Sequence, residues 1–152
     1  MRTAVLLGRA RTLLARAYNG CMNNHLNATE VPDERISRAL SRGHTIDITT
    51  TGRRSGERRR IELVFHNIDG HIVISGLPGR RDWYANLVAN PRLTFHLKGA
   101  VKADLPAIAR PIVEPEERRA TMQRVAANWG RTDIERMLEH SPLVEVTFDQ
   151  AA

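Results

Sequence analysis

The feature that most constrains the fold is a series of short segments in which apolar and polar side chains alternate. In Thr45–Thr51 two isoleucines alternate with aspartate and threonine, and Arg58–Asn67 alternates in a similar way. A period of two places the apolar side chains on one face of a strand. Asp69-Gly70 follows directly and is a strong signal for a tight hairpin into a third strand, His71–Ser75. The middle of the chain is therefore predicted to form antiparallel strands.

Further strands and helices are predicted from the same kinds of pattern. Pro106 and Pro111 lie in one of these strands and are expected to push it towards a sheet edge or a bulge. Short strands, hairpin turns and interspersed helices favour the α+β class, with an antiparallel barrel or sandwich of about six strands rather than a doubly wound sheet. The remaining strands are predicted at Leu93–Leu97, Val101–Ile112 and Leu143–Phe148, and the helices at Arg81–Ala89, Pro115–Asn128 and Thr132–His140.

The N-terminal region has a helical pattern. Residues 3–22 carry apolar side chains at helical spacing, while Arg2, Arg9 and Arg16 recur on another face. This helix either packs on its own domain or a second subunit, or lies at a membrane edge or over a hydrophobic substrate site. A polar loop over 19–29 and a short helix beginning near Pro32 follow. We expect a single domain over 1–152, with the helix and loop in 1–28 and the strand-rich core in 44–149.

The charge balance limits the classes of partner. The chain has 23 Lys plus Arg against 17 Asp plus Glu, and all but two of the cations are arginine. Such an excess suits a nucleic acid, an anionic membrane or a polyanionic small molecule. Cys21 is the only cysteine, so an intramolecular disulfide and a cysteine-based metal cluster are excluded. With no apolar run near the about 20 residues of a membrane span, we expect a cytoplasmic protein.

The segment most informative about function is Thr49–Arg60, which contains five arginines, two glycines and a serine between two predicted strands. Glycines let a turn approach a ligand closely, and the free N–H groups of such a turn can hold an anion together with the Ser55 hydroxyl. Arg53, Arg54, Arg58 and Arg59 would add charged hydrogen bonds. The alternatives are a solvated hairpin that aids solubility, or a grip on nucleic-acid phosphates. The few aromatic residues, two Trp, two Tyr and three Phe, argue against a base-stacking module.

The order of several motifs resembles the deazaflavin-dependent nitroreductase family of actinobacteria. Thr50–Gly56 reads Thr-Thr-Gly-Arg-Arg-Ser-Gly, and a strand, a hairpin, Asp82–Leu87 and Ala89–Pro91 follow in the family's order and spacing. The likeness covers about Thr45–Leu97, and Ser141–Phe148 is similar to the family's closing strand. It implies a split β-barrel with flanking helices that binds coenzyme F420 in a groove on the barrel, with no nucleic-acid partner.

The resemblance also implies the residues that bind the cofactor. The phosphate and polyglutamate tail would be held by Arg53, Arg54, Ser55 and Arg59. The deazaflavin would lie along the next strand, at Arg60, Ile61, Glu62 and Leu63. The ring would be flanked by Ser75, Gly76, Leu77 and Pro78, and the groove closed by Trp83, Tyr84 and Asn86, although Trp83 also suits plain core packing.

Departures from the family pattern leave the hydride acceptor open. Many members have proline at Glu62 and a Ser-Lys pair at Leu77-Pro78, and the tyrosines of the substrate pocket have no counterpart around Ala126–Ile134, where Trp129 stands instead. We expect reduced F420 to donate hydride to a small electron-poor acceptor such as a quinone or nitro compound. Tyr84, water or Tyr18 would supply a proton.

Three rival functions and two further expectations accompany this interpretation. The rivals are an FMN-binding protein on the same barrel, a basic nucleic-acid-binding module, and a non-catalytic carrier of a cofactor or hydrophobic ligand. We expect a homodimer, and a peripheral membrane contact if the first helix reaches a bilayer. The six histidines lack metal-site spacing and are expected at the surface, with His66 and His96 as cross-strand neighbours.

Overall fold

The computed structural model describes residues 34–149. By its contacts the chain divides into Met1–Glu34 and Arg35–Ala152, and the architecture below is that of the described residues. The helix predicted over 3–22, the loop over 19–29, and the candidate proton donor Tyr18 lie outside the described residues. A single domain over 1–152 stays a prediction.

The described residues form six strands and four helices, close to the predicted segments. The strands are β1 (Thr45–Thr51), β2 (Arg58–Ile68), β3 (His71–Ser75), β4 (Arg92–Lys98), β5 (Lys102–Pro111) and β6 (Leu143–Phe148). The helices are α1 (Glu34–Leu40), α2 (Asp82–Ala89), α3 (Pro115–Asn128) and α4 (Ile134–His140).

The strands close into an antiparallel barrel in the order β1-β2-β3-β6-β5-β4, which confirms the predicted fold class. Pairing of β1 with β4 completes the ring, with Asp47 opposite His96. The expectation that β5 lies at an edge is wrong, because it pairs with β4 on one side and β6 on the other. Its prolines are tolerated because pairing with β6 runs from Ala107 to Pro111, so that Pro106 precedes it and Pro111 ends it.

The barrel interior is filled by the apolar side chains of each alternating strand. Phe65 of β2 and Phe95 of β4 are fully buried and meet edge to face, with ring centroids 5.3 Å apart. Trp83 and Leu87 of α2 join the same cluster. Burial of this apolar surface, worth about 25 cal/mol per Å², therefore holds α2 against the barrel, beside the turn that joins β1 to β2.

A second apolar cluster packs α3 and α4 together, with Ile68 of β2 and Val73 of β3. Met122, Val125 and Met137 are fully buried there. The α3 helix begins with a cap in which the Glu114 carboxylate accepts hydrogen bonds from two backbone N–H groups of the first turn. The helix pair therefore covers part of the barrel that α2 leaves free.

His66 lies beside this second cluster and was not predicted to be buried. It is 4% exposed, and its ring lies edge-on to Trp129 at 4.9 Å. It is not a neighbour of His96, since β1 lies between their strands. Burial lowers the pKa of His66, so the folded protein resists protonation more strongly than the unfolded chain does.

We expect this buried imidazole to make stability depend on pH below about 6.5. Below that pH the imidazole takes up a proton in the unfolded chain but not in the folded protein. The free energy of unfolding therefore decreases as the pH falls, by at most about 1.4 kcal/mol per pH unit. Urea unfolding of the wild type and His66→Gln at pH 7.5 and 5.5 measures this. The wild type should lose more free energy of unfolding than the variant, and equal losses would exclude the effect.

Candidate functional site

The arginine-rich turn between β1 and β2 is compact because its glycines permit it. The Gly52 N–H donates to the Glu57 carbonyl at 2.7 Å, and the Gly56 N–H donates to the Gly52 carbonyl at 2.8 Å. Gly56 has φ +70°, and a Cβ on Gly52 would lie 2.6 Å from the Ser55 hydroxyl oxygen. That oxygen accepts from the Glu57 N–H at 3.2 Å. The turn therefore has a defined shape that side chains at either glycine would disturb.

Asn86 of α2 anchors this turn to the helix. It is 5% exposed, and its Oδ1 accepts from the Arg53 backbone N–H at 3.1 Å and from Arg53 Nη1 at 3.2 Å. Its Nδ2 donates to Thr50 Oγ1 at 3.4 Å. Arg53 also reaches Asp82 at 3.2 Å. One buried amide thus links the end of β1, the turn and α2.

A groove of about 550 Å³ opens between the turn and α2. It brings together eight of the predicted cofactor-binding residues: Arg53, Arg54, Ser55, Arg59, Arg60, Ile61, Trp83 and Asn86. Three lining residues were not predicted, namely Thr50, Gly52 and Asp82. The inward position of Thr50 follows from strand alternation, and Asp82 directly precedes Trp83. The sequence therefore contains enough information to predict both residues in the groove.

The lining of the groove is positively charged. It contains four guanidinium groups and one carboxylate, that of Asp82. Arg59 pairs with Glu57 at 2.7 Å and Arg60 with Asp47 at 2.9 Å. Arg54 has no ion pair or hydrogen bond within residues 34–149. An anion entering the groove would find one guanidinium fully available and others already oriented by carboxylates.

Trp83 forms the apolar wall of the groove. It is 4% exposed, and its indole Nε1 is buried with no hydrogen-bond partner in the described part of the chain. Buried indole N–H groups usually have a partner. The groove therefore combines the guanidinium of Arg54, unpaired among the described residues, with an apolar wall, which fits a ligand with an anionic tail and a planar ring.

Two residues predicted to line the deazaflavin lie elsewhere. Glu62 is on the outer face of the barrel, where it pairs with Lys98. The pKa of the neighbouring Asp47 is lowered by its hydrogen bonds to Lys98 and then Arg60. Leu63 is partly buried and packs against the barrel core. Neither side chain lines the groove.

The segment predicted to flank the ring, Ser75–Pro78, also lies outside the groove lining. Ser75 is buried and its hydroxyl donates to the Pro142 carbonyl at 2.7 Å. A Cβ on Gly76 would lie 3.1 Å from the Pro142 ring. Leu77 is 53% exposed. The hydroxyl of Ser75 thus has a structural partner, and Leu77 offers an exposed apolar surface.

Tyr84 and Trp129 also lie apart from the groove. Tyr84 is next to Trp83 in sequence but lines a separate cleft on the other side of α2. Trp129 meets the ring of His66 edge to face and packs against the second apolar cluster. Between residues 34 and 149, no cluster of His, Cys, Asp and Glu could hold a metal ion. No helix in the same range is long and apolar enough to cross a bilayer.

Comparison with known proteins identifies relatives of this groove-bearing barrel. A sequence model of the family described as F420H2-dependent quinone reductase matches residues 22–145. No curated protein matches the sequence.

Several solved structures share the fold. A conserved hypothetical protein from Mycobacterium tuberculosis superposes with a TM-score of 0.63 and 20% identity over 79% of this chain and 82% of that chain. An F420 reductase superposes with a TM-score of 0.59 and 13% identity over 75% and 93%. A domain-swapped dimer superposes with a TM-score of 0.52 and 24% identity over 75% and 95%. At these identities the structural likeness establishes the fold alone.

Proposed function

The chain belongs to the F420H2-dependent quinone reductase family and is an F420-dependent reductase, and we propose that it passes hydride from reduced F420 to a quinone or a nitro compound. The observation that carries this proposal is the positive groove beside Trp83, with Arg54 unpaired among the described residues. An anionic tail and a planar ring match that arrangement of charge and apolar wall.

The turn is the proposed seat of the phosphate and glutamate tail. Arg54, the Ser55 hydroxyl and the guanidinium groups of Arg53 and Arg59 would contact its oxygens, with about 1.5–3 kcal/mol for each hydrogen bond to a charged group. Arg53 and Arg59 would exchange the carboxylates of Asp82 and Glu57 for ligand oxygens. This exchange makes Arg54 the residue that adds most net attraction, because it gives up no existing partner.

The remaining predicted residues are proposed to position the ring. Trp83 and Ile61 supply the apolar wall within the groove. Leu63, Glu62 and the segment Ser75–Pro78 would contact the ring only where it extends beyond the groove. Their present contacts, described above, support a part in shaping the barrel end.

F420 supplies the hydride when bound, and the chain's residues bind, orient and exclude water. The proton is proposed to come from water. Tyr84 is the side chain named from the sequence for this role, but it faces the cleft on the other side of α2. A general acid must lie within hydrogen-bond reach of the atom that it protonates.

We further propose that the protein is a cytoplasmic homodimer. A related fold that occurs as a domain-swapped dimer supports the dimer, and a single cysteine is compatible with a reducing compartment. A peripheral membrane contact through residues 3–22 is part of the proposal and concerns residues outside the described range.

Parallel titrations with F420 and FMN test the cofactor, and turnover tests the acceptor. We expect F420 fluorescence to be quenched on binding and FMN to bind at least about tenfold more weakly, since a single phosphate engages fewer of the arginines. Reduced F420 should then be oxidised steadily in the presence of menadione. Tight FMN binding without F420 binding would overturn the cofactor assignment. Binding of F420 without turnover of menadione or a nitroarene would indicate that the protein is a non-catalytic carrier of the cofactor.

A further inference from the structure

A second cleft of about 560 Å³ lies on the opposite side of α2 from the groove. The separation follows from the helical period: Asp82, Trp83 and Asn86 face the groove, whereas Tyr84 and Ala85 face the cleft. The other wall is formed by the end of α4 and by Val113, which follows β5. None of the cleft's charged groups has a part in the proposed cofactor site.

Three arginines line the cleft, and none of them pairs with a carboxylate within the described range. Arg80 has no side-chain partner there, and Arg81 donates only to the backbone carbonyls of Arg80 and Leu77, at 3.3 Å each. Elsewhere on the surface, Arg110, Arg119 and Arg124 are all held by acidic side chains. The three guanidinium groups of the cleft are therefore not ion-paired with any described residue, and they outnumber its one carboxylate, that of Glu139.

Arg118 places a positive charge at the back of the cleft. It donates to the carbonyls of Leu138 at 2.9 Å, Ile112 at 3.0 Å and Ser141 at 2.5 Å. Burial lowers its pKa, a sign that the surroundings disfavour its charge. The one acid in the lining, Glu139, lies 3.6 Å from His140 Nε2.

The cleft also has unused donors and an apolar wall. Ser141 lines it and is 4% exposed, and its hydroxyl has no hydrogen-bond partner among residues 34–149. The Tyr84 hydroxyl has none in the same range. Val113 is 69% exposed at the rim, and Leu138 and Pro142 complete the apolar lining.

We propose that this cleft binds a small aromatic carboxylate. The carboxylate would lie towards the arginines and the two free hydroxyl groups, and the ring would lie against Val113, Leu138 and Pro142. Cationic groups that form no ion pair attract an anion, while the exposed valine gains contact only with an apolar group. The site does not depend on F420 or on the reductase activity, so its test uses binding alone.

The test is an NMR titration of the full-length 15N-labelled protein with 2-naphthoate, its neutral analogue 2-naphthamide, and inorganic phosphate. Naphthoate should shift the amides of Gly79, Tyr84 and Ser141, and should bind at least about tenfold more tightly than naphthamide. Equal binding of the two would overturn the role of the charge. If phosphate displaces naphthoate at equal concentration, the cleft binds anions in general and the proposed selectivity for an aromatic carboxylate is wrong. If the shifts are confined to Gly52–Arg60, naphthoate binds in the groove and not in the cleft.

Two substitutions and a matched control locate the site. Val113→Glu places a carboxylate at the rim on an exposed residue, and should weaken naphthoate binding at least about tenfold. Arg80→Gln should weaken it about threefold, as expected for an exposed charge. Arg92→Gln makes the same change of charge at a position outside the lining and should leave the affinity unchanged. Equal losses of naphthoate affinity in Arg80→Gln and Arg92→Gln would contradict the proposal.

Discussion

Replacing Arg54 by glutamine is expected to weaken F420 binding about 10- to 100-fold while leaving the unfolding temperature unchanged. Arg54 lines the groove and makes no hydrogen bond or ion pair with any other described residue. The folded state therefore loses nothing when its guanidinium is removed, whereas the bound state loses a charged contact to the tail. Fluorescence titration with F420 and thermal unfolding of the same samples give the two readouts.

Arg58, the first residue of β2, serves as the control. Arg58 is directed to Thr94, which its Nη2 contacts at 3.3 Å, and does not line the groove. Arg58→Gln changes the net charge by the same amount and should weaken binding less than about threefold. If Arg58→Gln weakened F420 binding as much as Arg54→Gln does, the cofactor would be held by general electrostatic attraction and not by the site proposed here. Arg53→Gln should reduce both affinity and stability, because Arg53 also contacts Asp82 and Asn86.

The strand pattern predicted most of the fold because alternation reports directly on which face of a strand is buried. Thr45–Thr51 and Leu143–Phe148 were predicted with the bounds that the structure has. The prolines of β5 predict an edge strand, and this is wrong because local proline effects cannot show that the barrel closes and pairs β5 on both sides. The sequence likewise predicts His66 at the surface, since its burial depends on α3, a helix distant in sequence.

The candidate site was predictable where a local motif formed it and not where tertiary structure did. The turn with Arg53, Arg54 and Ser55 is a contiguous segment, so its composition was enough to find it. Tyr84 was assigned to the groove with Trp83 because the two are adjacent in the motif. On a helix, however, adjacent residues point about 100° apart, and here they face different cavities.

The structural role of Asn86 could not be predicted from the sequence either, because its partners lie 33 and 36 positions away. Its amide is the one side chain that accepts from the turn backbone and donates to β1 within the described site. This double role separates two functions that can be tested independently: holding the turn in place, and keeping the floor of the groove free of negative charge.

We expect Asn86→Ala to lower the free energy of unfolding by about 1–3 kcal/mol, because the partly buried Arg53 N–H loses its acceptor. It should also weaken F420 binding about tenfold or more, since the turn that carries Arg54 is no longer anchored. Asn86→Asp retains an acceptor for the same N–H and guanidinium, so it should be more stable than the alanine variant. A carboxylate there would nevertheless repel the anionic tail and hold Arg53, so its F420 affinity should be the lowest, about 100-fold below the wild type.

The opposite order of the two variants in the two measurements is the decisive result. Urea unfolding should rank wild type, Asp, Ala, whereas F420 titration should rank wild type, Ala, Asp. A loose turn alone would make affinity follow stability, and the aspartate variant would then bind better than the alanine variant. Wild-type affinity in Asn86→Asp would mean that no anion is seated beside Asn86, and the tail would have to bind outside the groove between the turn and α2.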